Sequence, residues 1–92
     1  MDRPPKKLNG ADVLVWAPLD DSVAATSLCT DADGPVSALA VCVLAGPPRQ
    51  YCLFHCDRRW RVLADTEHDT LELAQCEAEA EYRGVTPLWR AR

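Results

Sequence analysis

Ninety-two residues, 48% hydrophobic and 26% charged, suffice for one folded domain and are too few for two. No run approaches the roughly 20 apolar residues of a membrane-spanning helix. No apolar stretch follows the charged start MDRPPKKLNG either, so neither a membrane anchor nor a signal peptide is expected.

Along the chain, residues 1–10 read as a flexible arm, rich in Pro, Lys and Asn. Residues 11–92 read as a single domain. ADVLVWA, 11–17, is β-branched and aromatic and predicts a strand ended by Pro18. LDDSVAATSLC admits two readings: a short helix capped by Asp20 or Asp21, or a strand over 22–29, which is preferred. DADGP then supplies turn residues. It lacks the further ligands of a calcium loop, so Asp31 and Asp33 are read as turn formers.

VSALAVCVLA, 36–45, is almost continuously apolar and reads as a central strand covered on both faces. GPPR is a loop. QYCLFHC, 50–56, is a strand, DRR a tight connection opened by Asp57, and WRVLAD, 60–65, the returning strand. Next, DTLE places Asp69 as N-cap and Glu72 at N3 of a helix, a capping-box arrangement. Arg83 falls in its last turn and Gly84 just beyond. VTPLWR reads as a short edge strand. The expected fold class is α+β: an antiparallel sheet of four to six strands, with one main helix, about 69–83, packed on one face.

Helical spacing puts Leu71, Ala74, Ala78, Tyr82 and Val85 on one stripe, which should lie on the sheet. Leu73, Cys76 and Ala80 form a second stripe opposite, flanked by glutamates. Seven acids lie between Val62 and Tyr82, a segment without lysine or arginine, within a net charge of −4. Such patterning speaks of surfaces and partners rather than of fold. The candidate partner-binding set is therefore Glu72, Leu73, Cys76, Glu77, Ala80 and Glu81, together with Glu79.

Other chemistries have weaker footing. Five cysteines, Cys29, Cys42, Cys52, Cys56 and Cys76, read as reduced thiols of a cytoplasmic protein, most of them in the core. In a strand, Cys52 and Cys56 share one face and His55 takes the other, so a zinc site with His68 and Cys76 would converge poorly. Cys56, Asp57 and His68 are the best candidates for a thiol or metal enzyme, but no catalytic motif surrounds them. RRWR, 58–61, with Arg49 could hold phosphate and stack a base. The acidic balance of the domain disfavours nucleic acid. No catalytic residue, metal or cofactor is assigned.

The stretch YCLFHCDRRWRVLADTEHDTLELAQCEAEAEYRGVTPLW, 51–89, resembles a pattern in small bacterial proteins of unassigned or immunity-like type. Its marks are a strand ending in Cys56-Asp57, then Trp60, then Asp65-Thr66-x-His68-Asp69-x-x-Glu72 opening a helix that ends in Glu81-Tyr82-x-Gly84-Val85. The resemblance implies an immunity function and carries no catalytic residues. The expected function is a small, non-catalytic protein-binding module, an inhibitor or immunity-type protein that meets a basic partner through its acidic helix. The alternatives are a self-associating structural protein, a homodimer through the same stripe, and the thiol or metal enzyme.

Overall fold

The computed structural model describes residues 2–20, 23–25, 30–31 and 34–92. Their elements, in order, are β1 (Lys7–Leu8), β2 (Ala11–Pro18), β3 (Ala24–Ala25), β4 (Thr30–Asp31), β5 (Gly34–Pro35), β6 (Ala38–Leu44), β7 (Gln50–Cys56) and β8 (Val62–His68). After them come α1 (Leu71–Glu81), β9 (Tyr82–Arg83), a 3-10 turn (Thr86–Leu88) and β10 (Arg90–Ala91). The main sheet is antiparallel, in the order β1-β2-β6-β7-β8, with β10 also on β2. It curls as a half-barrel around which α1 is the one main helix, an α+β fold.

The near-continuous apolar run of β6 follows from its place. It lies between β2 and β7, and Ala38 to Cys42 are buried on both faces. Period-2 alternation sorts the neighbouring strands between two cores. On the helix side lie Ala17, Leu39, Val41 and Leu53, covered by Ala74, Ala78, Tyr82 and Val85. This is the helix stripe expected from spacing. The other side holds Val13, Trp16, Cys42, Cys52, Phe54 and Cys56, with Trp60 packed against them. Trp16 and Trp60 meet edge to face, with centroids 5.7 Å apart and planes at 82°.

Residues 2–10, expected as an arm, lie against the sheet. Asn9 and Gly10 both have positive φ, 50° and 83°, and form the two-residue turn that pairs Leu8 with Ala11. Leu8 and Pro4 are buried. The Trp60 Nε1–H donates to the Asp2 carbonyl at 3.2 Å. β1 and β10 together occupy the outer edge of β2, at Ala11–Asp12 and Val15–Trp16 respectively. Arg92 bonds through its N–H to the Leu14 carbonyl and through Nε to the Pro4 carbonyl.

One segment departs from expectation near the C-terminus. VTPLWR is a 3-10 turn before the strand, because Pro87 cannot donate to a ladder and its position suits the first turn of a helix. Only Arg90–Ala91 pair with β2. Further back, β3 pairs with β9, and β4 with β5, around the expected turn. The helix-or-strand alternative over 19–29 falls largely on 21–22 and 26–29, with Cys29, outside the described residues, as do 32–33 of the turn.

Candidate functional site

The hairpin of β7 and β8 aims everything that follows. Asp57 closes its turn: Oδ1 accepts the Arg59 and Arg61 backbone N–H groups at 2.8 and 2.9 Å, and Oδ2 accepts Arg61 Nε at 2.6 Å. The Arg61 backbone bond leads, with the Arg61 guanidinium and the Arg59 N–H adding to it, and the carboxyl is held below its ordinary range. Trp60 takes a left-handed φ of 62° to close the loop. β8 then starts at Val62 and runs to His68, three residues beyond the expected end, because Asp65 to His68 continue the ladder against Phe54 to Tyr51.

The helix begins one residue later than DTLE suggests. Thr70 is the N-cap: its backbone is extended, its Oγ1 accepts the Leu73 N–H at 3.0 Å and its carbonyl accepts the Ala74 N–H at 3.2 Å. Asp69 therefore precedes the cap and Glu72 is the second helical residue, so the expected capping box does not form. At the other end Tyr82 leaves helical geometry and pairs with β3, which carries Arg83 out of the last turn. Gly84, at φ 99°, makes the reversal that a Cβ would oppose.

These offsets sort the acids into two kinds. Glu79 turns back to the chain: it accepts from Thr86 Oγ1 at 2.6 Å and from the backbone N–H of Gly84 and Thr86. The Thr86 hydroxyl above all, then those N–H groups, hold its carboxyl below the ordinary range. Glu81 turns toward the sheet, where its Oε2 lies 3.4 Å from His55 Nε2. His55 is buried under the helix, with Nδ1 3.0 Å from the Tyr82 hydroxyl. Burial lowers the His55 pKa, opposed by the carboxylate of Glu81 and, more weakly, of Asp65 and Glu77. Of the expected partner-binding set, Glu81 thus points mainly inward, while Glu72, Leu73, Cys76 and Ala80 are exposed and Glu77 is half-buried.

Leu73 is 51% exposed, the most exposed large apolar side chain among the described residues. It lines a shallow groove of about 410 Å³ with Cys76, Glu77, Glu67, His68 and Asp69. The last three come from the end of β8 and the turn into α1, and helical spacing alone could not supply them. The signal for them was the short connection: a helix that starts two residues after a strand keeps its first turn beside the strand's end. His68 Nε2 and Thr66 Oγ1 are 2.8 Å apart along this rim.

β8 is also a sheet edge. Its side chains from Ala64 to Glu67 are exposed, and no strand among the described residues pairs with its outer side. Register fixes where they point. Asp65 and Glu67 stand opposite Phe54 and Cys52, on the Trp16 side of the sheet. Ala64, Thr66 and His68 stand opposite His55, Leu53 and Tyr51, on the helix side.

The thiol-enzyme constellation is not assembled. Cys56 pairs with Val62 and Tyr51 with His68, so Cys56 and His68 lie at opposite ends of the hairpin. Burial, aided by Asp57, pushes the Cys56 thiol up to about 12, and Cys42 is raised to about 12 chiefly by burial, which disfavours the nucleophilic thiolate. Among the described residues no three His, Cys, Asp or Glu side chains gather as metal ligands. In RRWR, Trp60 is committed to Trp16 and Arg61 to Asp57, and Arg49 lies at the far end of β7. A larger open cleft, about 680 Å³, mixes Arg3 and Arg58 with Asp2 and Asp20 beside Trp60. No helix among the described residues is long and apolar enough to cross a membrane.

No family model, no curated protein and no solved structure matches this chain.

Proposed function

We propose that the protein is a small non-catalytic binding module of inhibitor or immunity type, which docks on a basic protein through the acidic groove between α1 and β8. The observation that carries this reading is Leu73, half exposed in a groove whose lining includes the acids Asp69 and Glu77. A single exposed leucine is ordinary. One ringed by acids has the form of an interface: an apolar anchor to be desolvated, and a charged rim that accelerates encounter. Glu72 and Ala80 extend the rim along the helix. The free thiols suit a reducing, cytoplasmic setting.

The test is capture from the host lysate by the protein and by its Leu73→Glu and Glu77→Lys variants, at low and moderate salt. A stoichiometric basic protein, held by the parent and lost from both variants and in salt, is the expected result. A partner held equally by all three removes the groove from the reading. The competing homodimer through Leu73, Cys76 and Ala80 predicts instead a mass that rises with concentration and falls to the monomer in Leu73→Glu.

A further inference from the structure

We propose that β8 accepts one more strand: an extended segment of the partner, with basic residues at alternate positions, added along its outer edge. This rests on the docking reading above and names the partner's shape and chemistry.

The two edges of the sheet are treated differently. The outer edge of β2 is occupied twice, by β1 and by β10. Among the described residues β8, seven residues long, has a partner on one side only, through a six-pair ladder. Every second residue of such a strand turns its N–H and C=O away from its neighbour, which makes it a template for another chain. Extended segments commonly bind this way: main-chain bonds give affinity and alternate side chains give specificity.

The register states what would fit. Side chains of the added strand on the Trp16 side would meet Asp65 and Glu67, so bases belong there. Those on the helix side would meet Ala64 and Thr66 and reach toward Leu73 and Cys76, so short apolar groups belong there. A second copy of this chain fits poorly. Antiparallel pairing of β8 with itself about Asp65 sets Asp65 against Asp65, and pairing about Thr66 sets Asp65 against Glu67. Like charges directly opposite are destabilising.

The probe is a blocked heptapeptide alternating lysine with valine. Two further versions carry methyl groups on the lysine nitrogens only or on the valine nitrogens only. In a strand, these two sets of N–H groups face opposite edges. Strand addition therefore predicts that one methylated probe binds within about twofold of the parent and the other loses about tenfold or more. The parent probe should protect the amides of Ala64 to Glu67 from hydrogen exchange, and the double variant Asp65→Lys, Glu67→Lys should weaken it about tenfold. If both methylated probes bind like the parent, strand addition is overturned while docking at Leu73 stands. If no probe binds, or if the β8 amides become protected as the protein alone is concentrated, the proposal also falls. Lysate capture lost on Leu73→Glu would still stand apart from either result.

Discussion

His55 is the residue whose placement has the clearest chemical consequence. Its ring is buried between the Tyr82 hydroxyl and the Glu81 carboxylate, and burial makes the charged form costly. The folded protein thus binds fewer protons at this site than the unfolded chain does. The contribution to stability is complete above the ordinary value of 6.5 and declines as pH falls below it toward the lowered folded value. Denaturant midpoints should therefore drop between pH 7.5 and 5.5, and His55→Gln should flatten that slope. The carboxyls of Asp57 and Glu79, held low in the fold, add their own loss only in the more acidic range. The cysteines give a second expectation. Among the four described, Cys42, Cys52 and Cys56 are buried and Cys76 is exposed. Peptide mapping after brief treatment with a thiol reagent should find Cys76 modified in the native protein, and Cys42, Cys52 and Cys56 modified only on unfolding.

Among the elements, α1 tests how finely local chemistry can be read. Both Asp69 and Thr70 are good caps by type, and the acid three residues beyond Asp69 favours the first. The structure chooses Thr70, because β8 continues through His68 and leaves only two residues to turn the chain. Thr70→Ala should cost about 1 kcal/mol in urea unfolding, with Asp69→Ala costing less. The strands 11–17, 36–45 and 50–56 were legible to within two residues, since their apolar patterns are set by burial on one or two faces. The helix stripe at Ala74, Ala78, Tyr82 and Val85 was legible for the same reason. The first hairpin was legible and overlooked: Asn9-Gly10 is a strong two-residue turn signal, but Lys6 and Lys7 gave the segment the look of a solvated arm. The roles of Glu79 and Glu81 were beyond sequence reading. Nothing in an alternation of Glu and Ala says which carboxylates find Thr86 and His55 after the chain reverses at Gly84.

For the molecule as a whole, the difficulty is to cover two apolar sheet faces with one helix. α1 covers one. On the other, Leu8 of the N-terminal hairpin and Trp60 pack with Trp16 and its neighbours. Removing residues 1–9 should therefore lower the thermal midpoint by several degrees, since Leu8 alone buries about 1.5–3 kcal/mol of side chain. An arm without contacts would leave the midpoint unchanged. The candidate site was half legible: the helix residues Leu73, Cys76 and Glu77 came from periodicity, but Glu67, His68 and Asp69 joined them only through the tertiary packing of β8 beside α1.

The bonds from Arg92 to Leu14 and Pro4 bring the two ends of the chain together on the same border of the sheet. β8 forms the far border, three strand positions along the sheet from β2. A fusion partner or a surface tether attached at either end would therefore sit on the same side. Display from either terminus would leave the β8 border and the groove beside it on the side away from the attachment.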